Sequence, residues 1–257
     1  MAVPLLALER ISKTFRRSGA TVQAVRGVSL DIGEGETVAL VGESGSGKST
    51  LGRIALGLMA PDEGRVLLDG KGLSEMSAGD LRRERTAIQP IFQDATASLN
   101  PRRPVRELLA QALRHLRDIE PRSIELLDAV GLRPGHDYLA RFPHELSGGQ
   151  RQRLAIARAI AMEPRLIVAD EPLSGADVSI RGQILNLLID IKAHRRVAYL
   201  MITHDISVAR AFADRVAVMM QGEIVEAGAA KNVLGAPAHP YTRRLVAAVP
   251  SLEALAP

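Results

Sequence analysis

Gly42-Glu43-Ser44-Gly45-Ser46-Gly47-Lys48-Ser49-Thr50 is the stretch from which the fold can be read. Its glycines let successive backbone N–H groups curl round a phosphate chain without Cβ collisions. It ends in Gly-Lys-Ser, the pattern of a phosphate loop. Thr37–Val41, just before it, is a largely apolar run of strand character, and Lys48–Leu58 after it has the spacing of a helix. A helix that begins at Lys48 points its positive dipole end at the same anion. The Lys48 ammonium can then reach the β- and γ-phosphate oxygens of a nucleoside triphosphate, and the Ser49 hydroxyl can ligate Mg2+. Strand, glycine turn and helix in that order predict an α/β nucleotide-binding core.

Composition is compatible with this. The 257 residues suffice for one large α/β domain, or for a core with a smaller subdomain inserted. Aromatic residues make up only 3%, so Leu, Ile, Val and Ala must fill the interior. Cysteine is absent, which excludes disulfides, thiolate metal sites and cysteine-held iron–sulfur clusters. No His pair has metal-ligand spacing. The net charge of +4 is modest. The basic clusters at Arg16–Arg17, Arg82–Arg83–Arg85 and Arg102–Arg103–Arg106 lack interleaved aromatics, so no nucleic-acid partner is expected. No signal-peptide pattern opens the chain, and no apolar run approaches the ~20 residues of a bilayer span. The expectation is a chain that does not cross a membrane by itself.

Along the chain, β-type runs alternate with helix-period segments, the pattern of a mainly parallel sheet covered by helices. Strands are expected at Leu5–Arg10, Val25–Ile32, Val66–Leu68, Ala87–Phe92, Leu166–Ala169, Val197–Ile202 and Val216–Met220. Between Pro101 and Leu139 apolar residues recur every three or four positions, which is helical. Residues 94–162 read as an all-helical insertion, within a core formed by 1–93 and 163–257.

Two further segments carry chemistry. Leu166-Ile167-Val168-Ala169-Asp170-Glu171 ends a buried strand in two carboxylates. Asp170 can face Mg2+, and Glu171 can polarise a water against the γ-phosphate. Leu146-Ser147-Gly148-Gly149-Gln150 opens a second helix, with Ser147 as N-cap and two glycines that leave N–H groups bare. One chain thus holds two phosphate-binding helix starts.

Leu-Ser-Gly-Gly-Gln, then Arg-Gln-Arg, then the acid pair at 170–171, resembles the signature of the ABC ATPases. The resemblance covers nearly the whole chain. It implies a P-loop NTPase (RecA-like) α/β core with an antiparallel β subdomain and an inserted all-α subdomain, using ATP and Mg2+. Phe15 stands where the family has an adenine-stacking aromatic, Gln93 at its Q-loop glutamine and His204 at its switch histidine. Ser174-Gly175-Ala176-Asp177 occupies its D-loop, with Gly-Ala in place of the usual Ala-Leu. The implied catalytic set is Glu171, His204, Lys48 and Gln93. Nucleotide would be held by Phe15, Gly42–Thr50 and, across a dimer, Ser147, Gly148, Gly149 and Gln150. Ser49, Gln93 and Asp170 would hold Mg2+.

The family pairs two such subunits head to tail beneath two transmembrane permease subunits, and importers add an extracytoplasmic solute-binding protein. The implied place is the cytoplasmic face of the inner membrane. Ser98-Leu99-Asn100-Pro101-Arg102, Val178-Ser179-Ile180 and His239-Pro240-Tyr241-Thr242-Arg243-Arg244-Leu245 resemble the oligopeptide, dipeptide and nickel importer branch. Many relatives there carry a C-terminal Cys cluster, which is missing here. The alternative is an ABC ATPase of repair or translation, uncoupled from transport; no coiled-coil insertion or second cassette supports it.

Overall fold

The computed structural model describes residues 3–17, 20–174 and 178–248. The D-loop residues Gly175, Ala176 and Asp177 lie outside them. In chain order the elements begin with β1 (Leu6–Arg17), β2 (Ala20–Ile32), β3 (Thr37–Val41) and α1 (Lys48–Ala55). β4 (Glu63–Leu68) and the short β5 (Lys71–Gly72) precede α2 (Ala78–Ala87) and β6 (Ile88–Ile91). Four helices follow with no strand between them: α3 (Ala95–Ser98), α4 (Val105–Ala112), α5 (Ile119–Ala129) and α6 (Gly148–Ile160). Next come β7 (Leu166–Asp170), α7 (Val178–Arg195), β8 (Ala198–Thr203) and α8 (Ile206–Phe212). β9 (Arg215–Met220), β10 (Glu223–Ala229), α9 (Ala230–Gly235) and α10 (Pro240–Ala247) complete the order.

Two compact units result, Met1–Leu81 with Ala198–Pro257, and Arg82–Val197. In the first, β2, β1, β4 and β5 form an antiparallel sheet. A second set of strands has β3 parallel to both β8 and β9, with β10 antiparallel to β9. Every residue of β3 and β8 is buried, as befits parallel strands covered on both faces. On one face Ala39, Val41, Val216 and Val218 pack with Ile206 and Ala209 of α8, Val233 of α9 and Tyr241 of α10. Each large apolar side chain so buried contributes roughly 1.5–3 kcal/mol.

Several expected boundaries move: β2 begins at Ala20 rather than Val25 and β4 at Glu63 rather than Val66, and two other shifts have a clear local reason. β1 runs on past Arg10, although the alternation of apolar residues fails there. The pairing with β2 shifts register between Leu8 and Ile11, and Arg10 takes a φ of 50°, a bulge that carries the strand onward. α1 stops at Ala55 rather than Leu58. Gly57, at φ 62°, donates to Ile54 O at 2.9 Å and Leu58 N donates to Arg53 O at 2.9 Å, the paired bonds of a left-handed glycine stop.

In the second unit β6 and β7 are parallel neighbours. α6 packs on β6 and on α3, α4 and α5, burying Leu108, Leu109, Leu127, Leu154, Ile156 and Ile160. This compact unit extends beyond 94–162 because α6 packs on β6 and β6 pairs with β7. Arg153 ties the helices together, donating to Val130 O at 2.6 Å and Gln183 Oε1 at 2.7 Å. Among the described residues no helix is long and apolar enough to cross a membrane.

Candidate functional site

The first unit carries the glycine loop between β3 and α1. Gly42, Gly45 and Gly47 have φ values of 154°, 81° and 106°. A Cβ on Gly42 would lie 2.1 Å from Met219 O, and one on Gly47 would lie 2.1 Å from Ala24 O, so β9 and β2 form the floor of the loop. Ser46 N donates to Glu43 O at 3.2 Å and Gly222 N to Ser46 O at 3.0 Å, which fixes the turn. Lys48 is only 5% exposed. A buried ammonium requires strong acceptors, and its Nζ donates to Gly42 O at 2.8 Å, Glu43 O at 2.7 Å and Ser46 Oγ at 3.3 Å. The cation is therefore drawn inside the loop, beside N–H groups that carry the same sign.

Two other sequence-predicted residues belong to this unit. The parallel register pairs Val41 with Thr203, so Gly42 and His204 leave the same carboxyl edge of adjacent strands, the edge at which such sheets bind ligands. His204 is exposed and does not cap α8. Asp205 does so, accepting from Ser207 N at 2.8 Å, while Asp205 N donates to Thr203 Oγ1 at 3.0 Å. Phe15 faces Val22 across β1 and β2, and the two are 38% and 57% exposed, an apolar pair presented to solvent rather than a core contact. Asp62 fastens the strand just before Phe15, accepting from Lys13 Nζ at 2.6 Å and Thr14 N at 2.7 Å. The hydrogen bond from Lys13, then that from Thr14, holds the Asp62 carboxyl below its usual range. Nothing in the pattern of the sequence marked Asp62. Tyr241, Met219 and Ala24 were also missed, because their contacts with the loop join positions far apart in the chain.

The second unit gathers the rest. β6 pairs with β7 with Ile91 opposite Ala169, so Gln93 and the pair Asp170–Glu171 follow the same ends of neighbouring strands. Gln93 Nε2 donates to Ser174 Oγ at 3.0 Å. Glu171 takes a φ of 47°, a left-handed turn that costs a non-glycine residue about 1–2 kcal/mol, and its carbonyl accepts from Ser174 N at 3.0 Å. Ser147 caps α6 as expected: its Oγ accepts from Gln150 N at 3.3 Å, and Gln150 Oε1 accepts from Ser147 N at 2.9 Å. The Gln150 side chain is thus folded back onto its own helix start. A Cβ on Gly148 would meet open space, whereas one on Gly149 would come within 3.1 Å of Ile180. Gln93, Gly148, Gly149 and Ser174 line one cleft of about 350 Å³. The glycine loop and the acid pair thus belong to different units.

A family model for the ABC transporter matches residues 25–174, more than half of the chain. The chain belongs to the ABC transporter family. It is similar to the glutathione import ATP-binding protein GsiA of Salmonella paratyphi A (strain ATCC 9150 / SARB42), 48% identical over 244 residues covering 93% of this chain and 39% of that protein. GsiA of Escherichia coli (strain K12) is 49% identical over 247 residues, covering 94% and 39%. The chain thus spans about two fifths of the length of these curated relatives. Among solved structures, the ATP-binding cassette MJ0796, in a dimeric post-hydrolysis state bound to ADP and Pi, aligns with a TM-score of 0.78 and 31% identity over 88% of this chain and 98% of that one. The cbiO1 protein of Clostridium perfringens, part of the ABC transporter complex cbiONQ, aligns with a TM-score of 0.78 and 29% identity over 91% of each chain. The fold is that of the P-loop ATPase cassettes.

Proposed function

We propose that the chain binds and hydrolyses ATP to energise an ABC importer for peptides, nickel or related small solutes. The observation that carries this reading is Lys48, an ammonium only 5% exposed and turned into a glycine loop against the carbonyls of Gly42 and Glu43. Gly42–Thr50 cradles the phosphates, with the start of α1 aimed at them. Phe15 stacks on the adenine, worth ~1–3 kcal/mol by analogy with base-stacking platforms. Ser49, Gln93 and Asp170 hold Mg2+, which neutralises charge on the phosphate oxygens. One hydroxyl, one amide and one carboxylate suit this ion, because Mg2+ takes few protein ligands and completes its shell with phosphate and water. Glu171 orients the attacking water and His204 contacts the γ-phosphate.

Ser147, Gly148, Gly149 and Gln150 meet nucleotide held by a second ATPase subunit in a head-to-tail dimer. The dimeric state of the MJ0796 cassette supports this arrangement. The helical segment 94–162, joined to the core at Gln93, passes the nucleotide state to two permease subunits at the cytoplasmic face of the membrane. A solute-binding protein delivers the cargo, and no nucleic acid takes part. The import of glutathione, a small peptide, by GsiA favours a peptide-like cargo.

The test replaces Glu171 with Gln. Mg-ATP binding should persist while phosphate release falls by roughly 10²–10⁴. Equal phosphate release from the two proteins would remove Glu171 from the chemistry. Failure to co-purify with permease subunits would remove the coupling to transport.

A further inference from the structure

The last helix of the first unit reaches the phosphate loop. Tyr241, in the first turn of α10, is 4% exposed and belongs to the apolar cluster of Val41, Ile206, Val218 and Val233. A phenol buried so deeply needs a hydrogen-bond partner. The backbone N–H of Glu43 supplies it, donating to Tyr241 Oη at 3.0 Å. Glu43 is the second residue of the glycine loop. Its carbonyl accepts from Lys48 Nζ at 2.7 Å and from Ser46 N at 3.2 Å. A single residue therefore has its N–H fixed by Tyr241 and its C=O fixed by the lysine that faces phosphates.

Tyr241 is itself held in place. The N–H groups of Ala238 and His239 donate to the two carboxylate oxygens of Glu226 at 2.9 and 3.0 Å. His239 Nδ1 accepts from Tyr241 N at 3.2 Å and so caps α10, with Pro240 at the first helical position, where its fixed φ suits a helix. The His-Pro-Tyr sequence thus reads as cap, helix start and clamp. Packing alone does not require the hydroxyl, since Phe would fill the same volume.

We propose that Tyr241 is a positioning residue for nucleotide binding, its hydroxyl holding the Gly42–Glu43–Ser44 turn in the shape in which Lys48 and the loop N–H groups meet a triphosphate. The proposal rests on 42–50 being the nucleotide loop. Without the hydroxyl, the Glu43 N–H loses its partner and the turn relaxes. That weakens the grip on ATP equally in the ground and transition states, so KM rises while kcat holds.

The experiment compares the full chain with Tyr241→Phe and Val233→Ala, measuring mant-ATP binding with Mg2+, steady-state ATP hydrolysis and thermal unfolding. Tyr241→Phe should raise Kd and KM for ATP about three- to tenfold. That equals about 0.7–1.4 kcal/mol at 1.4 kcal/mol per tenfold, the size of one neutral hydrogen bond. Its kcat should stay within about twofold of wild type. Val233→Ala thins the same apolar cluster without touching the loop, so it should lower the Tm and leave KM unchanged. His239→Ala should raise KM as Tyr241→Phe does, and His239→Asn, which restores a cap, should return it. An unchanged KM in Tyr241→Phe overturns the proposal, as does an equal rise in Val233→Ala. If Tyr241→Phe does not fold, the His239 pair decides, and equal KM values in His239→Ala and wild type overturn it. Wild-type protein that binds no mant-ATP overturns the loop assignment beneath it, an outcome distinguished by the silence of every variant alike.

Discussion

Gly45 and Gly47 lie two positions apart in the same loop, both at positive φ, yet they should respond very differently to Ala. At Gly45, φ is 81° and an added Cβ meets nothing within 4 Å. Gly45→Ala therefore costs only the left-handed backbone, roughly 1–2 kcal/mol. At Gly47, φ is 106° and the same carbon would lie 2.1 Å from Ala24 O and 2.8 Å from Met219 Cε. The Met219 side chain can swing aside, but the Ala24 carbonyl belongs to β2 and cannot. Restoring an ordinary carbon–oxygen contact of about 3.3 Å requires a shift of about 1.2 Å. A shift of that size strains the Gly222 N–Ser46 O and Leu51 N–Gly47 O bonds, both 3.0 Å. Each such bond is worth about 0.5–1.5 kcal/mol net. With the backbone strain of about 1–3 kcal/mol, Gly47→Ala should be less stable than Gly45→Ala by about 3 kcal/mol. At about 2–4 °C per kcal/mol for a chain of this size, the two Tm values should differ by about 6–12 °C in a thermal scan followed by circular dichroism. Tm values within about 2 °C of each other would refute the view that β2 forms the floor of the loop.

The remaining predictions concern Glu226 and Ser147. Burial works against the charge of Glu226, but the neighbouring Thr242 hydroxyl, the hydrogen bonds from the Ala238 and His239 N–H groups and the nearby His239 ring outweigh it, so its pKa lies below the ordinary 4.5. A lowered folded pKa gives stability that is fully present above 4.5 and lost as pH falls through the folded value. The urea midpoint of wild type should therefore exceed that of Glu226→Gln at pH 7, and the gap should close under more acidic conditions; a gap unchanged at about pH 3 would contradict this. Ser147→Ala removes the cap of α6 and should cost about 1 kcal/mol in urea unfolding. Ser147→Asp keeps an acceptor there and should recover most of that loss; a variant as unstable as Ser147→Ala would contradict the capping geometry.

The sequence revealed what is local and periodic. The loop at 42–50 declared itself because phosphate binding constrains residue type at each position. The helices at 105–129 declared themselves through apolar spacing, and β3 and β8 through unbroken apolar runs. β10 escaped notice because no residue of Glu223–Ala229 is fully buried, which removes the apolar pattern. α2 escaped for the same reason, having no buried residue at all. The site divides in the same way. Lys48, Ser147 and Asp170 are marked by their neighbours in sequence, whereas Tyr241 meets Glu43 across 198 positions and Asp62 meets Thr14 across 48. Such pairings follow from topology, and topology is not written in any window of sequence.

The two glycine-led helix starts are chemically unequal, although their sequences look alike. Any helix begins with N–H groups that have no partner inside it. At α6 two of the local N–H groups are already served, because Ser147 Oγ takes the Gln150 N–H and Gln150 Oε1 takes the Ser147 N–H. At α1 the cap is Gly47, which has no side chain to offer, and no side-chain cap is formed. Its first turn holds no acidic residue, and the first helical residue is itself the cation Lys48. The start of α1 thus has neither a capping side chain nor an acidic residue in its own first turn, and an anion there gains from the helix dipole and the ammonium together. The start of α6 leaves only the Gly148 and Gly149 N–H groups for a ligand. A triphosphate should therefore bind first and most firmly at the start of α1, with the α6 start adding a smaller, second contribution, the order of affinities that the proposed pairing of two subunits calls for.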